Sequence, residues 1–130
     1  MKRAGGTMKM LASGDLTIVS DRSQPDLVRL DWRGRSASRH PDDVIDPFLT
    51  AALDEARQNL AGLEMHFERM EYLNSATVAV LVHFLHRARL AGVGIRFTYR
   101  ASIRWQRLSF EALRVFEHLD AMVQVVPVTA

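Results

Sequence analysis

The most constraining feature of the sequence is a strand-like segment that runs directly into a helix-like one near the middle of the chain. Apolar and polar residues alternate over residues 63–73, as in a β-strand with one buried face. Residues 76–90 contain neither glycine nor proline and are long enough for a helix. Asn74 and Ser75 stand between them, where a helix cap belongs. We therefore predict a strand–helix joint here and interpret the rest of the chain around it.

A hydroxyl at this joint lies in a favourable place for a negative charge. The first N–H groups of a helix have no partners within the helix, and the helix dipole is positive at that end. A phosphate is readily held at such a position. Ser75 is therefore the candidate phosphorylation site, with Thr77 as the second choice. A serine at a helix start can also act only as a cap, which contributes about 1 kcal/mol.

Length and composition indicate one soluble domain. The chain of 130 residues can build one hydrophobic core, and its apolar and charged fractions are those of a globular protein. A formal net charge of +2, with arginines scattered among carboxylates, gives no reason to expect nucleic-acid binding. The absence of cysteine excludes disulfide and thiolate chemistry and suits a reducing cytoplasm. We find no signal peptide and no apolar run long enough for membrane insertion.

The other segments complete the order β-β-α-β-α-β-α-β. Residues 1–14 lack periodicity and are expected to form a flexible tail, so the single domain is assigned to residues 15–130. The predicted strands cover residues 16–20, 27–32, 63–73, 93–99 and 122–128, and the predicted helices cover residues 47–61, 75–91 and 103–119. The first two strands should be antiparallel. This order predicts an α/β domain with a mixed sheet of about five strands, about three packed helices and parallel crossovers in its second half.

Cap residues set the expected starts of the first and third helices. Asp46 is expected to cap the first helix, with Pro47 at its first helical position, where the missing N–H costs nothing. Ser102 is expected to cap the third helix.

The order of elements resembles the STAS domain of anti-sigma factor antagonists. The resemblance is supported by residues 73–77 (Leu-Asn-Ser-Ala-Thr), which lead into a helix of small residues, and by the helix-to-strand turn at residues 87–95. In that family's Asp-Ser-Ser-Gly motif the second serine is phosphorylated. The corresponding position here is Ala76, with Asn74 in place of the aspartate and Thr77 in place of the glycine.

A second resemblance, to the SiaC family of bacterial regulatory phosphoproteins with a STAS-like fold, is closer in detail. It rests on residues 34–36 (Gly-Arg-Ser), 41–43 (Pro-Asp-Asp), 47–49 (Pro-Phe-Leu) and 71–75 (Glu-Tyr-Leu-Asn-Ser). In that family the phosphate acceptor directly follows the asparagine after an aromatic pair. The resemblance therefore makes Ser75 the acceptor, with Leu73 in place of one aromatic residue.

The resemblance implies a non-enzymatic, cytoplasmic module in a partner-switching pathway, with no cofactor and no metal. A Ser/Thr kinase would phosphorylate Ser75, and a PP2C-type phosphatase would remove the phosphate. One form would bind a downstream effector, which in the SiaC branch is a diguanylate cyclase, with a role in biofilm regulation. A homodimer is compatible with this pathway. The direction of the switch is open, because a phosphate would repel an acidic partner surface and attract an arginine-lined one.

The predicted partner-binding surface combines the outer side of the second helix with the polar loop at residues 34–43. The stripe predicted to face the core consists of Val78, Leu81, Val82 and Leu85, with the stem of Arg89. The opposite arc is more apolar than a solvated face needs to be, which suits docking, although isolated surface apolar residues are common. The candidate contact residues are Asn74, Ala76, Ala79, Val80, His83, Arg87, Pro41, Asp42 and Asp43.

Two other functions remain open. A constitutive STAS scaffold, or a transporter-associated subunit, would use the same surface without a phosphate cycle. A small enzyme would use the loop containing His40, Asp42 and Asp43, whose side chains suit acid–base or metal chemistry, although capping and solvation explain them equally well. His83 and His86 have the spacing of a metal pair on a helix but lack a third ligand nearby in the sequence.

Overall fold

The computed structural model describes residues 8–128 and confirms the α/β class. The strands are β1 (Met8–Ser13), β2 (Leu16–Asp21), β3 (Leu27–Ser36), β4 (Gly62–Leu73), β5 (Ile95–Arg100) and β6 (Val123–Val128). The helices are α1 (Asp42–Gln58), α2 (Ser75–Leu90), α3 (Arg104–Leu113) and α4 (Val115–Leu119). The predicted element order is present from β2 onward, with the third predicted helix divided into α3 and α4. None of the helices within residues 8–128 combines the length and apolarity needed to cross a membrane.

The six strands form one sheet in the order β1-β2-β3-β4-β5-β6. Strands β1, β2 and β3 pair antiparallel, whereas β3–β4, β4–β5 and β5–β6 pair in parallel. The antiparallel pairing of β2 with β3 and the parallel crossovers that follow agree with the prediction. Because the strand order advances in one direction, right-handed crossovers place the helices on one face of the sheet. No helix within residues 8–128 covers the opposite face.

Side-chain alternation along the strands agrees with this two-layer arrangement. Ile18, Trp32, Phe67, Phe97 and Val125 are buried on the helix-covered face. Their neighbours along each strand lie on the uncovered face and are polar or only partly buried in most cases. The centre of the core is aromatic, and Phe67 packs 5.0 Å from Trp32 between ring centroids. One contiguous apolar cluster therefore supports both the sheet and the helices.

Residues 8–13 form the edge strand β1, where the sequence analysis predicted a flexible tail. Met8 lies opposite Asp21 and Ser13 lies opposite Leu16, and Gly14 turns the hairpin with a φ of 57°. Only Leu11 packs on the core, so the strand has almost no buried face to give an alternating signal. Backbone pairing holds it instead. The rest of the predicted tail, residues 1–7, lies outside the described residues.

Two predicted helix starts are also corrected. α1 begins at Asp42 rather than after Asp46, and Pro47 lies inside the helix. The carboxylates of Asp42 and Asp43 occupy the first turn, where the helix dipole favours negative charge, and this supports the earlier start. α3 begins after Ile103, so Ser102 does not cap it.

A buried glutamine joins β4 and β5 where their pairing stops. The ladder between the two strands ends at the pair His66–Thr98. Beyond it, Nε2 of Gln106 donates to the carbonyl oxygens of Phe67 at 2.9 Å and Met70 at 3.0 Å. Its Oε1 accepts the N–H of Arg100 at 2.7 Å. The side-chain amide therefore bridges the two strands where their backbone pairing has ended.

Candidate functional site

The predicted strand–helix joint is present, and Asn74 rather than Ser75 provides the cap. Asn74 is extended, with φ −84° and ψ 171°, and α2 starts at the next residue. Its Oδ1 accepts the backbone N–H of Thr77 at 2.9 Å and the hydroxyl of Thr77 at 2.7 Å. Because the asparagine already fills the capping position, the hydroxyl of Ser75 is not needed to start the helix.

Ser75 is exposed at the first position of α2. The first turn of the helix contains no acidic residue, so the positive end of the dipole is not neutralised locally. A negatively charged group on the Ser75 side chain would therefore meet a favourable field without displacing a capping contact. The geometry suits a phosphate acceptor.

Thr77, the second-choice acceptor, is closed to modification in this structure. Its side chain is 0% exposed, and Oγ1 lies 2.6 Å from Oγ of Ser36. Thr77 falls on the inner face of α2, one helical step from Val80 and Leu81, which explains its burial. Ser36, its hydrogen-bond partner, is also buried.

Asn74 also connects the joint to the segment after β3. Its backbone N–H donates to the carbonyl of Ser36 at 3.0 Å, and its Nδ2 donates to the carbonyl of Ser38 at 2.8 Å. The structure thus brings the start of α2 next to the loop that leads into α1. The start of α2 and this loop were each predicted to contribute residues to the docking surface, and the structure shows that they are in contact.

The predicted contact residues of α2 do not all reach the surface. Ala79 and His83 are exposed, and Asn74 and Ala76 are half-buried. Arg87 is half-buried between the helices, where it donates to the hydroxyl of Thr50 on α1. The prediction for Val80 is wrong, because its side chain is 5% exposed and belongs to the core. The buried stripe consists of Thr77, Val80, Leu81, Phe84, Leu85 and Ala88.

The loop residues occupy the start of α1. Pro41 is buried, whereas Asp42 and Asp43 are exposed. A hollow of about 290 Å³ lies beside them, between the β1–β2 turn, the end of β3 and the first turn of α1. Its walls include Leu16, Pro41, Val44 and Ile45, but not the predicted enzymatic side chains of His40, Asp42 and Asp43.

No cluster of metal-ligating side chains is formed within residues 8–128. His86, one member of the spaced histidine pair on α2, packs edge-on against Phe116, with ring centroids 5.5 Å apart. His83 is exposed. The described residues therefore do not bring either histidine together with a third potential ligand.

A polar cluster on the uncovered face was not identified by the sequence analysis. His66 on β4 contacts Oε1 of Glu64 at 3.0 Å and Oγ1 of Thr98 at 3.0 Å, and the Thr98 hydroxyl donates to Glu68 at 2.9 Å. The nearby Glu68 carboxylate, 3.7 Å from Nδ1, is the main reason that the pKa of His66 is raised. Desolvation acts to raise the pKa of Glu68, but the neighbouring His66 and the hydrogen bond from Thr98 outweigh it and lower this pKa. The alternation of residues 64, 66 and 68 is the only sequence signal for this cluster.

These pKa shifts predict a pH-dependent contribution to stability. The raised pKa of His66 stabilises the fold below its ordinary value of 6.5, and this contribution is lost as pH rises through the folded-state pKa. The lowered pKa of Glu68 stabilises the fold above its ordinary value of 4.5. His66→Gln should therefore reduce the free energy of unfolding more at about pH 5.5 than at about pH 8. Urea denaturation at both pH values measures this difference. The same loss at both pH values, or an equal pH dependence in the exposed control His83→Gln, would contradict the prediction.

Taken together, the described elements define a small α/β domain with helices on one side of a mixed sheet. No protein-family model matches the sequence, and a comparison with curated proteins also finds no match. Among solved structures, the crystal structure of apo-SiaC from Pseudomonas aeruginosa is similar, with a TM-score of 0.61 and 14% sequence identity. The match covers 94% of this chain and 99% of that chain. The chain therefore has a SiaC-like fold, as the sequence resemblance implied.

Proposed function

We propose that the protein is a non-enzymatic signalling module of a partner-switching pathway, reversibly phosphorylated at Ser75. The observation that carries the proposal is the exposed hydroxyl of Ser75 at the first position of α2, within a SiaC-like fold. A Ser/Thr kinase adds the phosphate and a PP2C-type phosphatase removes it. The downstream effector is a protein, such as a diguanylate cyclase, and the pathway operates in the cytoplasm.

Phosphorylation at this position changes the surface rather than the core. A phosphate adds nearly two negative charges at neutral pH. Asn74 continues to cap α2, because its contacts with Thr77 do not involve the Ser75 hydroxyl. The added charge therefore acts on whichever protein docks across the start of α2 and the adjoining loop.

The proposed docking surface has two parts that Asn74 holds together. One part is the exposed side of α2 with Ala79 and His83, and the other is the start of α1 with Asp42 and Asp43. A partner that contacts both parts meets Ser75 at their boundary. Its affinity then depends on the charge at that residue, which is the basis of a switch.

Phosphopeptide mapping tests the site. In protein recovered from its native cells, mass spectrometry should find phosphate on Ser75, and Ser75→Ala should abolish it. Ser38→Ala is the matched control, because Ser38 is also exposed and lies in the adjoining loop. This control should leave phosphorylation unchanged. Phosphate found only on other residues would contradict the site, and equal partner affinity of Ser75→Glu and the unmodified chain would favour a constitutive scaffold.

A further inference from the structure

A hollow of about 280 Å³ lies on the uncovered face of the sheet, where β4 and β5 separate. Two irregularities meet there. The β4–β5 ladder ends at His66 and Thr98, and the β3–β4 register shifts between Asp31 and Arg33. Register shifts of this kind redirect side chains and are frequent beside functional sites. The volume is close to the lower limit of about 300 Å³ for small-ligand pockets.

Guanidinium groups from neighbouring strands line this hollow. They belong to Arg29 on β3, Arg69 on β4 and Arg100 on β5. Among the described residues, Arg29 and Arg100 form no salt bridge, and Arg69 approaches Asp31 only to 3.7 Å. Nε of Arg100 is buried without a hydrogen-bond acceptor within residues 8–128. A buried donor left unpaired destabilises the protein, so an acceptor brought by a ligand would relieve that cost.

The carboxylates in the same hollow already have partners. Asp31 accepts a hydrogen bond from Arg33 at 2.9 Å, and Glu68 accepts one from the Thr98 hydroxyl at 2.9 Å. His66 also faces Glu68, and the distance between Nδ1 and Oε2 is 3.7 Å. The negative charges are therefore partly compensated, whereas Arg29 and Arg100 have no acidic partner within residues 8–128.

We propose that this hollow binds a small molecule through an oxyanion, either a phosphate or a carboxylate group. Arg29, Arg69 and Arg100 supply the contacts, because guanidinium groups donate paired hydrogen bonds that match the oxygens of both anions. The concave shape favours a small ligand over a flat protein surface. The site does not depend on phosphorylation at Ser75, and each proposal is tested separately.

Isothermal titration of the full chain with inorganic phosphate, pyrophosphate and citrate, at matched ionic strength, tests the site. At least one probe should bind saturably, and Arg100→Gln should weaken that binding about tenfold, because the charge-assisted hydrogen bonds of the guanidinium group are lost. Arg29→Gln gives a second variant at an exposed position and should act in the same direction. Binding of pyrophosphate but not citrate would identify a phosphate ligand, and the reverse would identify a carboxylate ligand.

The matched control is Arg96→Gln. Arg96 is exposed on β5 but does not line the hollow, and its guanidinium group is already bonded to Gln124 at 2.8 Å. This variant should bind the probe within about twofold of the original chain. Equal weakening by Arg96→Gln, or no saturable binding up to about 10 mM of any probe, would overturn the proposal. Binding of a polyglutamate peptide without binding of any small probe would overturn it as well.

Discussion

Gln106→Leu should lower the free energy of unfolding by about 3 kcal/mol. Leucine is close to glutamine in size but provides neither a donor nor an acceptor. The carbonyl groups of Phe67 and Met70 and the N–H of Arg100 would then lose their partner. Gln106 is 0% exposed, so water does not replace these bonds without a change in the structure. The loss should exceed that of an ordinary hydrogen bond because several buried groups are left unpaired together.

Urea denaturation of the two proteins, followed by tryptophan fluorescence, measures this effect. Gln124→Leu is the matched control, since Gln124 is exposed on β6 and, among the described residues, its side chain forms a hydrogen bond only with Arg96. The control should change the free energy of unfolding by less than about 0.5 kcal/mol. If Gln106→Leu were no more destabilising than Gln124→Leu, the bridging role of Gln106 would be wrong.

Asn74→Ala should have the second largest effect, a loss of about 2 kcal/mol in the free energy of unfolding. The substitution removes the cap of α2, removes one of the two hydrogen-bond partners of the Thr77 hydroxyl and breaks the bond to the Ser38 carbonyl. Asn59→Ala is the matched control. Asn59 is an exposed asparagine, and among the described residues its side chain forms a hydrogen bond only with the Glu55 carbonyl. It should cost less than about 0.5 kcal/mol.

Asn74→Asp separates the two functions of this residue. Aspartate keeps an oxygen for the cap and is favoured at a helix N-terminus, but it has no N–H to donate to Ser38. Stability should therefore recover most of the loss seen with alanine. Hydrogen exchange of residues 37–41 should still be faster than in the unsubstituted chain. Unchanged exchange in this segment would show that Asn74 does not hold the docking loop.

The order of elements could be predicted because hydrophobic periodicity and helix capping depend on residues that are close together in the sequence. The alternation of apolar and polar residues predicted β4, and the capping residue Asn74 marked the start of α2. β1 was missed because Leu11 is the only one of its residues that packs on the core. Val80 was misplaced because α2 is apolar on more than one side, so its sequence does not distinguish the inner face.

The polar contacts of Gln106 and of the arginines on the uncovered face could not be predicted from local sequence patterns. Gln106 reaches the carbonyl of Phe67, 39 residues earlier in the chain. The arginines of the uncovered face come from β3, β4 and β5, so their proximity depends on the register of strands that are far apart in sequence. Such contacts follow from the completed sheet, and no short stretch of the chain encodes them.

The order of the strands bears on how the chain folds during synthesis. Since each strand pairs with the one made just before it, the sheet can assemble from one side to the other as residues leave the ribosome. Closing a hairpin takes about 1–10 μs, far less than the time to add one residue, so the β1–β3 meander can form before α1 is complete. Ser75 is made after these three strands, so half of the sheet can be paired before the strand–helix joint exists.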